Sequence, residues 1–255
     1  MKKTLWLSVC LFLVITVGCA TEPPSADQAQ SAPAQGTVAE ATVIVDHIIV
    51  GISDLEVGIE QLEALTGVRA VIGGEHPGRG TRNALISLGS GHYLELLAPV
   101  PGGVIDEFDD LAGDLETFSE LTPLGWAAST SSMDALAQKL TAAGYEIDGP
   151  VPGSRVKPDG SVLEWKTLVI TQPLLDGAPF FIEWGESSVH PSESSPEGCE
   201  LATLQVGDPD AVELRGLAAT LGLDIEVTAG DRMTLEFGLH CPNGEVHFSS
   251  DASGR

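Results

Sequence analysis

One pattern recurs three times along this chain and limits the folds it can adopt: an apolar strand, a short amphipathic helix stopped by glycine, then three more strands. The first copy is expected to run from a strand over Val43–Gly51 into a helix over Asp54–Leu65, with Leu55, Ile59, Leu62 and Leu65 on one face and Gly67 as the stop. Its other strands are expected at Val68–Ile72, Asn83–Leu88 and Tyr93–Ala98. The second copy starts at Leu124–Thr130, continues as a helix over Met133–Ala143 before Gly144, and reads as strands near Tyr145–Ile147, Val162–Ile170 and Phe180–Trp184. The third has a strand at Leu201–Val206, a helix over Ala211–Leu221 before Gly222, and strands at Ile225–Thr228, Met233–Leu239 and Glu245–Phe248. Aligning the first strands sets His47, Trp126 and Thr203 in register, separated by 79 and 77 residues.

The expected class is therefore α+β, built from three βαβββ modules. One such module has a single apolar sheet face and cannot stand alone, whereas two side by side curve their sheets into an open cup. Residues 42–186 would form that pair and 187–250 the third module, with 251–255 as a tail. The third module would pack outside the cup or pair with its copy in a homodimer. Segment 100–123 reads as a linker whose acidic run, 106–110, belongs to a surface loop. Within the cup, an imidazole at His47 in the middle of its strand and a carboxylate at Glu95 between apolar neighbours are what a metal site requires.

Charge narrows the partners. The 255 residues carry 12 lysines and arginines against 37 acids, a formal charge of −25. A nucleic-acid footprint needs the opposite sign, so none is expected. The N-terminus sets the compartment: Met1-Lys2-Lys3 is followed by an apolar run from Leu5 to Val17, too short to serve comfortably as a permanent span. It ends Val17-Gly18-Cys19-Ala20, which resembles the bacterial lipoprotein signal. That resemblance implies a signal peptide over 1–18, lipidation of Cys19, and export to a membrane, the outer one facing the periplasm given Ala20. Residues 19–41 then form a polar, proline-broken tether. Cys10 would leave with the signal, so Cys199 and Cys241 remain; outside the cytoplasm they either pair as a disulfide or stay as two buried thiols, and both readings stand.

Several ordered motifs resemble the vicinal oxygen chelate superfamily and its glyoxalase-like domain proteins. They include Asp46-His47-Ile48, the stretch from Gly73 to Asn83, Tyr93-Leu94-Glu95-Leu96, Gly125-Trp126-Ala127, Ser154-Arg155-Val156, Ile182-Glu183-Trp184 and His190-Pro191-Ser192. The resemblance implies the glyoxalase/bleomycin-resistance/dioxygenase-like fold. It also implies a metal held by one residue from the first and one from the last strand of each paired module. Carried over, the ligands are His47, Glu95 and Glu183; Trp126, at the fourth position, cannot ligate. One imidazole and two carboxylates would suit Zn, Fe, Mn or Ni. Glu183 is the expected catalytic base, and His76, Arg79, Asn83 and Arg155 are expected to contact substrate. His190 falls at the same rim.

Two functions from different classes follow. The first is a divalent-metal-dependent isomerase, lyase or dioxygenase acting on a small oxygen-chelating substrate. The second is a metal-free cup of the resistance type that captures a small apolar or anionic molecule. Metal content separates them.

Overall fold

The computed structural model of this chain describes residues 41–89, 91–102 and 111–250. The expected signal peptide, the lipidation site at Cys19, the tether up to residue 40, the acidic run 106–110 and the tail from 251 lie outside those residues.

Strand β1 (Val43–Gly51) leads into helix α1 (Leu55–Thr66) through Asp54, whose carboxylate accepts from the N–H groups of Glu56 and Val57. Such a cap satisfies donors that a first helical turn leaves orphaned and contributes about 1 kcal/mol. Gly67, at φ 79, closes the helix in the left-handed conformation that a side chain would strain. Leu55, Ile59 and Leu62 turn inward, as their helical spacing demands. Strands β2 (Val71–His76), β3 (Thr81–Ser87) and β4 (Tyr93–Pro99) complete the first unit. After the short α2 (Leu111–Leu115) the second unit repeats the order: β5 (Thr122–Thr130), α3 (Met133–Ala142), β6 (Glu146–Val156), β7 (Val162–Gln172) and β8 (Phe180–Trp184). A one-turn helix, α4 (Pro191–Ser194), leads to the third unit: β9 (Glu200–Asp208), α5 (Ala211–Leu221), β10 (Glu226–Ala229), β11 (Thr234–Cys241) and β12 (Gly244–Ser249).

The first two units form one eight-stranded sheet in the order β2-β3-β4-β1-β5-β8-β7-β6. In each unit the first strand runs parallel to the last, and the units join where β1 and β5 pair antiparallel. The sheet curls until its edges, β2 and β6, meet. There Arg155 of β6 donates to the Gly73 carbonyl of β2, and a side chain at Gly74 would reach within 2.9 Å of the Val156 carbonyl. The expected paired cup is present.

The third unit keeps the order of elements but not the arrangement of the other two. Its sheet runs β10-β9-β11-β12, with β9 inside the sheet between a parallel and an antiparallel neighbour. It packs against the outside of the cup: Leu235, Phe237, Leu239 and Phe248 join the same apolar cluster as Ile48, Trp126 and Phe181. Asn243 ties it to α1, donating from its side chain to Ala64 and from its backbone to Thr66. Cys199 and Cys241 are bonded, S–S 2.08 Å, joining the approach to β9 with the end of β11.

Candidate functional site

Alternation along the strands sends Ile48, Val50, Leu94 and Leu96 into the packed core and leaves His47, Ile49, Tyr93, Glu95 and Leu97 facing a cavity of about 850 Å³. From the second unit, Gly125, Trp165, Phe180, Ile182 and Trp184 form the opposite wall. His76, Arg79, Asn83 and Arg155, all expected from the sequence to contact substrate, line the same space.

His47 is held from behind. The pairing of β1 with β5 shifts register between Val45 and His47, so Asp46 is the extra residue of a bulge. That turn brings the carboxylate round to its neighbour: His47 Nδ1 donates to Asp46 Oδ1 at 2.7 Å, which leaves Nε2 facing the cavity. Asp46 is fully buried, and its other oxygen accepts from Trp184 Nε1 and His190 Nε2, both at 3.1 Å. Burial alone would push the Asp46 carboxyl up, but the hydrogen bonds from His190 and His47 outweigh it and hold the group well below the usual carboxylate range. The His47 ring stacks on Tyr93, centroids 4.5 Å apart. Burial pushes the Tyr93 phenol up, and Asp46 and Glu95 add to the shift, so it stays protonated.

On the same wall, from the neighbouring strand β4, Glu95 Oε2 is 3.6 Å from His47 Nε2, and Oε1 is 3.5 Å from His76 Nε2. Asn83 donates to Oε1 at 2.6 Å. Burial pushes Glu95 up, yet His76, His47, Asn83 and Arg155 together bring it below its ordinary value, and it remains a carboxylate. His76 is shifted down, first by burial and further by Arg155 and Arg79, with Glu95 opposing; it is neutral near pH 7. Its Nδ1 lies 3.0 Å from Thr81 Oγ1. Arg155 is only 4% exposed; burial pushes its guanidinium down, and Glu95 opposes that shift.

Two expectations are corrected. Glu183 does not enter the cup: on β8 the residues Phe180, Ile182 and Trp184 face the cavity, and Glu183 points to the other side. There one of its oxygens accepts from the Met133 N–H at the start of α3 and the other from Lys166 Nζ at 2.9 Å. It is neither a ligand nor a base in this site. Trp126 is out of phase as well. It pairs with Ile48 and is buried in the core, its indole donating to the Gly177 carbonyl at 3.0 Å, while the residue opposite His47 is Ala127. The second unit thus supplies no donor at either position that the resemblance assigned to it. Among the described residues, no group of three His, Cys, Asp or Glu side chains is arranged to hold a metal ion. Glu95 Oε1 already accepts from the Asn83 amide. The residues present do not fit the four-ligand metal site that the resemblance implies.

Asp46, Trp165 and Trp184 were not expected here, and His190 enters as the partner of Asp46 and not as a contact of the cavity. Tryptophans separated along the chain carry no periodic signal that groups them.

A sequence profile described as a glyoxalase-like domain matches residues 45–222. The chain belongs to the glyoxalase-like domain family. No curated protein matches it. Among solved structures, a hypothetical protein from Staphylococcus aureus is similar at 22% identity over 81% of this chain and 85% of that one, TM-score 0.53. Methylmalonyl-CoA epimerase from Mycobacterium tuberculosis matches at 22% identity over 55% of this chain and 85% of its own, TM-score 0.40. A Streptomyces coelicolor methylmalonyl-CoA epimerase in complex with 2-nitronate-propionyl-CoA matches at 20% identity over 57% and 96%, TM-score 0.41. The fold is that of the vicinal oxygen chelate superfamily. Within this glyoxalase-like domain, His47, His76 and Glu95 come from the first unit, and Asp148 and Arg155 on β6 come from the second.

Proposed function

We propose that this glyoxalase-like protein binds a small organic anion in its cup and shifts a proton on it, as an isomerase or lyase does. The observation that carries the reading is the Asp46–His47 pair: Asp46 fixes the ring and its tautomer, so Nε2 faces the cavity as a proton acceptor. In the step proposed, a C–H bond next to a carbonyl of the ligand breaks and its proton goes to His47 Nε2, while the electron pair moves onto the carbonyl oxygen. The imidazolium then lies between Asp46 and Glu95, two carboxylates that stay ionised. Arg155 and Arg79 line the cavity together with the carboxylates of Glu95 and Asp148, and the two arginines are the groups on it that an anionic ligand would pair with. Trp165, Trp184 and Phe180 supply an apolar wall that excludes water.

The test is solvent-deuterium exchange into a panel of small 2-oxo and 2-hydroxy carboxylates, followed by proton NMR with untagged protein. Exchange is expected with the wild type and is expected to fall at least 100-fold in His47→Ala. Equal exchange in the two would overturn the reading.

A second reading is the metal-free cup of the resistance type, which holds its ligand without turning it over, favoured by the aromatic wall of Trp165, Trp184 and Phe180. The exchange assay separates the two: a carboxylate that binds in calorimetry and exchanges no proton would support this one, and exchange that survives dialysis against chelator supports the first. The cell compartment is part of the proposal. Export and a lipid anchor at Cys19 rest on the N-terminal sequence alone, and are tested by whether Cys19→Ser moves the protein out of the membrane fraction.

A further inference from the structure

The cup has a neighbouring compartment. Strand β5 pairs with β8 only through Ala127, Ala128 and Ser129, so the sheet is open on that side along Leu124–Trp126. The segment from 173 to 179 arches over the opening. Gly177 pins it there, accepting from the Trp126 indole and donating to Asp208 at 2.7 Å. A cavity of about 260 Å³ fills the gap, walled by Trp126, Ile170, Leu175, Ala178, Pro179 and Met233. Among the described residues that line it, Asp176 alone is ionisable, and that side chain is exposed. Ile49, Leu124, Gly125, Val169 and Phe180 line both this space and the main cup. Gly125 is the thin point of that shared wall, since a Cβ placed there meets nothing within 4 Å.

We propose that this annex is a tail pocket, that the ligand is an amphiphilic monocarboxylate, and that Gly125 decides how long its apolar tail can be. The proposal rests on the reading of the cup as a site for an organic anion and names the class of that anion. The carboxylate lies in the main cup, where Arg155 and Arg79 supply positive charge. The tail passes Gly125 into the annex, where the side chains of Ile170, Leu175, Ala178, Pro179 and Met233 are apolar. The reverse orientation is disfavoured because it would bring the carboxylate towards that of Asp176, with no cationic side chain among the described residues that line the annex.

The experiment is calorimetric titration of butanoate, hexanoate, octanoate and decanoate into the wild type, Gly125→Val and Met233→Phe. In the wild type, affinity is expected to rise about fourfold for each methylene buried, until the annex is full. In Gly125→Val the octanoate-to-butanoate affinity ratio is expected to collapse at least tenfold. Met233→Phe, which narrows the annex from the third unit, is expected to lower the same ratio and keeps the proposal testable if the valine variant does not fold. Wild-type affinity that is flat with chain length, or a ratio unmoved by folded variants, would overturn the tail pocket and leave the anion reading standing. If no carboxylate binds, butanoate included, the anion reading falls and the tail pocket with it.

Discussion

At the scale of single residues, Glu183 and His47 show how much depends on the phase of a strand. Both lie mid-strand beside aromatic or apolar neighbours, yet His47 reaches the cavity and Glu183 braces the start of α3. Glu183 is shifted down: burial opposes this, while the Met133 N–H and Lys166 favour the carboxylate more strongly. Because the folded-state value lies below the unfolded one, its contribution to stability is complete above the unfolded pKa of about 4.3 and is lost as pH falls through the folded value. Glu183→Gln is therefore expected to cost about 1 kcal/mol in urea unfolding at pH 7, to lose that part of the acid dependence, and to leave deuterium exchange unchanged. A large loss of exchange at normal stability would restore Glu183 to the chemistry. His47 and Glu95 were legible in the sequence because an imidazole and a carboxylate in the middle of otherwise apolar strands stand out. Asp46 was not, since strict alternation puts neighbours on opposite faces, and only the bulge brings Asp46 round to His47.

At the scale of elements, the strands and helices that carry a clean period came through. The expected bounds of β1, β8 and α5 coincide with those observed. Strand β6 did not: it runs for 11 residues where three were expected. Gly149, Pro150, Pro152 and Gly153 interrupt the strand's pattern, but β6 is an edge strand, where proline's missing donor costs no ladder bond, and a register shift between Asp148 and Val151 absorbs the irregularity. The same happened at β2, where Gly73 and Gly74 resemble a turn and instead sit at a register shift within the strand. These two strands matter because they are the edges that Arg155 clasps. Arg155→Met keeps the length of the side chain and removes the bond to Gly73. It is expected to speed amide hydrogen exchange at least tenfold in β2 and β6 while β1 and β4 keep their protection. Unchanged exchange at both edges would show that strand contacts alone close the cup.

At the scale of the whole molecule, the third unit is bound to the cup by shared core and by covalent chemistry. Its element order was legible, but its sheet order was not, because strand order is set by tertiary pairing and not by period. Cys199 and Cys241 are 42 residues apart, and closing a loop of that length stabilises the folded chain by about 3–4 kcal/mol in the chain-entropy account. Replacing both with serine is expected to lower the unfolding free energy by about that amount. A single transition by fluorescence and circular dichroism is also expected, since one apolar cluster spans all three units. Two separated transitions would contradict a common core. The cup itself has lost the symmetry of its repeat. Asp46, His47, His76, Asn83 and Glu95 belong to one half, whereas Phe180, Trp165, Trp184 and the clasping Arg155 belong to the other. This is a division of labour that neither half could perform in duplicate: two copies of the first would offer two proton-handling centres with nothing to shelter a guest, and two copies of the second would offer shelter with no chemistry inside it.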